Sequence, residues 1–257
     1  MSALVLQSYR THAVPAWIEE CLASVRAWAA AAGHAYEFVD DQLFELVPGW
    51  FRERCGAQLL PQTDLARLLL MRARLQAGAP RVIWLDADVL VCAPDRLRLD
   101  PVDGFAFCAE TWLDRDPAGA LRTERRVNNA AMVMDVGNPV LDFYIHACLA
   151  TAAHRAPGTI AKLAFGPQLL VRLAQVAPLP VIGCVGMMSP VLGRELATGG
   201  GPACAAYAAA RGGAIGAINL CASLVDVDRG IDTATVTAAV ACLAATGGDV
   251  INPRVAS

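Results

Sequence analysis

The residues best placed to do chemistry are Asp86 and Asp88, in the run RVIWLDADVLV. Four apolar residues, Val82 to Leu85, lead straight into the first aspartate. A buried parallel strand delivers its next residues to the C-terminal edge of its sheet, where ligands bind in open α/β folds. Two carboxylates held close together there are costly as bare anions and favour a divalent cation, which can in turn hold a diphosphate. The bland reading is a strand-end turn with two solvated aspartates. A DxD pair alone is a weak signal, since sixteen aspartates in 257 residues give about one by chance. The chain has three: Asp86/Asp88, Asp114/Asp116 and Asp226/Asp228. Only the first ends a long apolar run. The second lies in a polar stretch, and the third follows SLV at the end of a short strand.

Just upstream is QTDLARLLLMRARLQAGAP. Asp64 and Arg67 stand at i, i+3 on neighbouring faces of one helix. This is either a surface ion pair contributing a few tenths of a kcal/mol, as such pairs do, or a carboxylate and a guanidinium at the rim of the same pocket. Other chemistry is poorly supported. His12, His34, His146 and His154 have no partners at ligand spacing, and His146 reads as a core histidine. TGGGP fits neither GxGxxG nor GxxxxGK[ST]. The tryptophans at 17, 28, 50 and 84 read as core, whereas Trp112 either stacks on a ligand or packs beneath a loop.

The elements that must position these residues alternate. Strands are expected at 3–8, 35–39, 81–86, 104–109, 129–134, 178–182 and 214–220. Helices are expected at 14–32, 63–75 capped by Thr63, 139–152, 167–176 and 232–245. The stretch 40–60 reads as irregular, 112–126 as a surface loop, and the Gly-rich 198–202 and 211–216 as candidate mobile loops. The expected architecture is α/β, a single mixed, mostly parallel sheet flanked by helices.

Composition narrows the function. The apolar fraction of 56% supports a folded core, and a net charge of −3 gives no reason to expect nucleic acid as a partner. Nine cysteines, none spaced CxxC, argue for free thiols rather than a disulfide or zinc framework. MSALVLQSYRTH reads as no signal peptide, and the Ala-rich 203–222 as too interrupted for a membrane span. The expected location is cytoplasmic, with attachment at the periphery of the inner membrane as the alternative. Of 21 basic residues only Lys162 is a lysine, so lysine-dependent chemistry would have to use it.

The run TDLARLLLMRARLQAGAPRVIWLDADVLV resembles the donor-site core of metal-dependent GT-A-fold glycosyltransferases. It is most similar to bacterial polymannosyl- and toxin-type transferases, which carry an S/T-D-x-x-R helix, a Gly-containing turn and a strand ending in DxD. The resemblance is good over 62–92 and continues weakly through VNNAAMVMDVGNPVLDFYIHAC and FGPQLL. It implies a nucleotide-diphospho-sugar transferase fold over 1–257, with a nucleotide-binding half at 1–110 and an acceptor-side half at 111–257. It implies that Asp88 ligates Mn²⁺ or Mg²⁺ and that Asp86 contacts the ribose or the metal through water. It further implies that Asp64 and Arg67 hold the donor sugar, that Asn128 or Asn129 bonds a sugar hydroxyl, and that Gln7, Ser8 and Tyr9 meet the nucleotide. Related families often complete the metal site with a late histidine. Here Asn219 stands on the late strand, leaving either its amide oxygen or Asp226 or Asp228 to complete the site.

The implied activity is transfer of a sugar from a UDP- or GDP-sugar to a glycan, lipid or protein acceptor, with retention of configuration. An inverting enzyme would need a base, for which Glu110 and Asp114 are candidates. Two rival readings are a degenerate nucleotide-binding or interaction protein on the same fold and a haloacid-dehalogenase-type phosphatase. The second expects its DxD near the start of the fold and a patterned lysine, and neither matches here.

Overall fold

The computed structural model describes residues 2–101 and 103–252. Strand β1 (Leu4–Ser8) leads to helix α1 (Ala16–Ala31), which ends at Gly33 with φ at +71°, and then to β2 (Ala35–Val39). A 3₁₀ turn (Asp41–Leu46) and helix α2 (Gly49–Cys55) fill the stretch expected to be irregular. Helix α3 (Leu59–Gln76) starts before Thr63, because Pro61 sits in its first turn, where no intrahelical N–H is missed. Thr63 is therefore not a cap, and its hydroxyl donates to the Leu59 carbonyl.

Strand β3 (Arg81–Leu85) is buried throughout, and β4 (Val89–Val91) follows after a tight turn. The expected 112–126 loop is instead the end of a long hairpin of β5 (Phe105–Arg115) and β6 (Leu121–Asp135). Its turn is DPAG, in which the Asp116 carboxylate accepts the N–H groups of Ala118 and Ala120. The second DxD is thus turn chemistry.

The C-terminal part holds α4 (Pro139–Ala153), capped by the Asn138 side chain, α5 (Pro167–Val176), β7 (Val181–Ile182), β8 (Val185–Met187) and α6 (Pro190–Leu196). Then come α7 (Pro202–Arg211), β9 (Ala217–Asn219) and α8 (Thr233–Thr246). The Ala-rich segment contributes α7, and among the described residues no helix is long and apolar enough to cross a membrane.

The main sheet has the order β2-β1-β3-β6-β5-β7, and only β6 runs against the other strands. Alternation along β1 and β3 sends Leu6, Val82 and Trp84 to one face, against Leu65, Leu68 and Met71 of α3 and Tyr144 of α4. Val5, Ile83 and Leu85 go to the other face, against Val25, Trp28 and Ala29 of α1. Each such side chain contributes about 1.5–3 kcal/mol by leaving water, which fixes the register of β3 and with it the position of Asp86.

A smaller sheet, β4-β9-β8, stands beyond the turn. Its antiparallel pairing sets Val89 opposite Asn219, bringing the late strand beside the first DxD. Two side-chain expectations are corrected. His146 lies on the exposed face of α4, and Trp50 is exposed at the start of α2. All nine cysteines are free.

Candidate active site

The end of β3 opens into a cleft of about 550 Å³. Ser8, Tyr9 and Arg10 line it from the end of β1, and Thr63, Asp64 and Arg67 from α3. Asp86 and Asp88 lie between, with Glu110, Trp112, Arg126, Asn128 and Asn129 from the hairpin, and Asn219 and the residues from Cys221 to Leu224 from the end of β9 onward. The lining holds five carboxylates against three guanidiniums, so an anionic ligand would need a cation with it.

Asp64 and Arg67 are not a surface pair. Both are buried, and Arg67 sits at the centre of a network. Its Nη1 donates to Asp86 Oδ1 at 2.8 Å and to the Asn129 carbonyl at 3.1 Å, and its Nη2 lies 3.4 Å from Asp64 Oδ1. Burial acts to lower its pKa, but the Asp86 and Asp64 carboxylates outweigh that and hold it charged. The same burial lifts Asp64 above the usual carboxylate range, with Arg67 and Asn129 pulling it back.

The DADV turn is a β-turn in which the Asp86 carbonyl accepts the Val89 N–H at 3.0 Å. Asp86 Oδ1 also takes the Trp84 indole N–H at 2.7 Å. The Asp86 side chain is 24% exposed, and among the described residues its Oδ2 has no hydrogen-bond partner. Asp88 Oδ1 accepts the Asn219 amide at 2.8 Å, and Oδ2 accepts the Ala222 N–H at 2.7 Å. That N–H is aimed by Cys221, a non-glycine residue in the left-handed region at φ +55°. Burial and the nearby Asp86 charge push Asp88 up to about 6, and burial raises Asp86 against the pull of Arg67. A cation here would relieve both effects.

These carboxylates fit a divalent cation. Among the described residues nothing bonds Asp86 Oδ2, and each Asp88 oxygen accepts a single hydrogen bond and keeps a lone pair. No cluster of three or more His, Cys, Asp or Glu able to hold a metal occurs among the described residues, so water and phosphate would supply the other ligands. Asn219 turns its amide nitrogen, not its oxygen, toward Asp88. That oxygen accepts the Cys221 N–H at 2.8 Å, so the amide steadies Asp88 instead. Asp226 is spent on Thr233, and neither it nor Asp228 lines the cleft.

Asn128 and Asn129 both reach the site, which strict strand alternation forbids. Cys108 lies opposite Asn128 but Phe107 opposite Met132, leaving Asn129 to Ala131 unmatched on β5. Asn128 donates to Glu110 Oε2 and Asn129 to Asp64 Oδ1, each at 2.8 Å. Glu110 is buried, which raises its pKa, whereas Asp114 is exposed and outside the cleft. Gly166 backs the Asn129–Asp64 contact so closely that a Cβ there would stand 2.9 Å from Asn129 Oδ1.

Gln7 is fully buried and does not line the cleft. Its amide donates to the Asp86 carbonyl at 3.1 Å and accepts from Tyr36, so it braces the turn from below. Lys162 is exposed and outside the cleft. Sequence reasoning missed Arg10, Arg126 and the close packing of Gly166. The Gly-Pro pair opening α5 was the one available signal for the last.

No family model and no curated protein matches the chain. Among solved structures it is similar to a glycosyltransferase involved in the glycosylation of the major capsid of PBCV-1, at 10% identity and a TM-score of 0.34 over 56% of this chain. It is also similar to mouse xyloside xylosyltransferase 1 in its apo form, at 13% identity and a TM-score of 0.43 over 86% of this chain and 98% of that one. The chain covers 65% of the length of the first. Likenesses this distant leave the functional reading to the residues of the cleft.

Proposed function

We propose that the chain is a GT-A-type glycosyltransferase that moves a sugar from a nucleotide-diphosphate donor to an acceptor hydroxyl. The observation that carries this reading is the convergence, in one cleft, of Asp86 and Asp88 with the buried Asp64–Arg67–Asn129 network. Asp88 and Asp86 would hold Mn²⁺ or Mg²⁺. When bound, the cation supplies positive charge to the diphosphate leaving group as its own charge develops.

The chain's residues supply the rest. Asp64 and Asn129, fixed by Arg67 and by the close approach of Gly166, offer polar groups to sugar hydroxyls. Ser8 and Tyr9 face the nucleotide, with Arg10 beside Tyr9 as a phosphate partner. The transfer proposed is retaining. Lys162 lies outside the cleft, which counts against the phosphatase alternative.

The test is binding and hydrolysis of a panel of UDP- and GDP-sugars, with Mn²⁺ and with EDTA. Metal-dependent turnover that falls at least a hundredfold in Asp88→Ala supports the reading. Absence of both binding and turnover with every donor sinks it.

A further inference from the structure

The cleft has one wall that the proposed donor site does not explain. Among the described residues only three leucines are exposed, Leu46, Leu59 and Leu163, at 40%, 62% and 43%. All three lie on segments that border this cleft: the 3₁₀ turn at Asp41–Leu46, the first turn of α3, and the turn before α5. Leu59 and Leu163 line it directly, as do Phe44 of the 3₁₀ turn and Leu60 of α3. The hydroxyl of Thr63 on this side is already spent on the Leu59 carbonyl. The wall therefore offers apolar surface and few free hydrogen bonds, while the floor is carboxylate and amide. Exposed leucines from two segments, with Phe44 from a third, mark a stretch of the cleft that a ligand covers.

We propose that this wall binds the apolar segment of an amphiphilic acceptor, whose hydroxyl-bearing head reaches the carboxylate floor. This rests on the glycosyltransferase reading and names the substrate class of the same site. The occupant suggested is a single amphiphile. Asp40, Asp41 and Glu45 at the 3₁₀ turn outnumber Lys162, the neighbour of Leu163, which disfavours an anionic bilayer. The apolar wall is also continuous with a concave site rather than spread over a flat face.

The test uses the full chain with leucine methyl groups labelled, titrated with n-octyl β-D-glucoside below its micellar concentration and with methyl β-D-glucoside. We expect the octyl compound to shift the Leu59 and Leu163 methyl resonances and to bind at least tenfold more tightly than the methyl one, from the burial of its added methylenes. We expect Leu59→Asp/Leu163→Asp to lose at least tenfold in octyl affinity, while the exposed control Val176→Asp does not. Equal binding of the two glucosides, or shifts confined to other leucines, overturns the proposal. So does uptake only onto neutral phosphatidylcholine vesicles, or a self-association that the double variant abolishes. Binding of UDP or GDP with Mn²⁺ is measured in parallel on the unaltered chain. Donor binding without octyl binding refutes this inference alone. Octyl binding with neither binding nor turnover of any UDP- or GDP-sugar refutes the glycosyltransferase reading and, with it, the assignment as acceptor.

Discussion

Asn219 donates its amide to Asp88 Oδ1 at 2.8 Å, from a strand that arrives 131 residues later in the chain. The same amide accepts the Cys221 N–H at 2.8 Å, which fixes which end of it faces the carboxylate. Asp88 is held a second time by the Ala222 N–H. The late strand therefore positions the carboxylate through two donors, the Asn219 amide and the Ala222 N–H.

From this, Asn219→Ala should weaken Mn²⁺ binding by about tenfold, the usual effect of losing a partner that orients a ligand. Asn219→Asp should lower the melting temperature in EDTA, because it sets a third carboxylate against Asp88 and Asp86. Calorimetric titration and thermal melts measure the two effects. Unchanged Mn²⁺ affinity in Asn219→Ala would show that Asp88 needs no such support.

The raised pKa of Asp88 gives a pH dependence with a definite sign. Burial and Asp86 push the carboxyl up to about 6, so folding favours its protonated form. The stability this lends is complete below the ordinary carboxylate range and is lost as pH rises through about 6. The metal-free protein should thus lose more stability between pH 4 and 7 than Asp88→Asn does. The melting temperature gained on adding Mn²⁺ should be larger at pH 7.5 than at pH 5. A gain equal at both pH values would separate the cation from this carboxylate.

The place of Asp86 in the cleft could be read from the sequence because its cause is local. Four apolar residues before Asp86 dictate a buried strand, and a buried strand dictates where its end lies. The hairpin at 112–126 was hidden by its charges. Arg122 to Arg126 read as solvated loop, yet a two-stranded arm pairs its backbone groups whatever its outward side chains are. The DPAG turn was the visible signal. The joint reach of Asn128 and Asn129 could not be read, since it comes from an irregularity in pairing with β5. The same holds for Gln7 and Asn219, where an amide is donor or acceptor only by its neighbours.

Gly166 supplies a steric prediction. A methyl group there would stand 2.9 Å from Asn129 Oδ1 and 3.1 Å from Asp64 Oδ2. Gly166→Ala should therefore cost about 1–3 kcal/mol of stability, the usual range for overpacking, and reduce donor hydrolysis by more than its loss of folded protein explains. Gly49→Ala is the control, since nothing lies within 4 Å of a Cβ there. Equal behaviour of the two variants in urea denaturation and in donor hydrolysis would remove Gly166 from the site.

Arg67 supplies a prediction about stability and charge together. It is 4% exposed and serves Asp86, Asp64 and the Asn129 carbonyl together. Arg67→Ala strands two carboxylates without their counter-charge and should cost about 3–5 kcal/mol near neutral pH. Arg67→Lys keeps the charge but not the fork, so one ammonium cannot reach all three partners, and an intermediate loss is expected. The penalty has its own pH signature. Without the guanidinium, Asp64 and Asp86 take up protons more readily, and protonation relieves the stranded charges. The loss in Arg67→Ala should then be smaller at pH 5 than at pH 8, as measured by urea denaturation at each. A cost below about 1 kcal/mol, the scale of an exposed pair, or one equal at both pH values, would mean that Arg67 packs in the cleft without balancing its carboxylates.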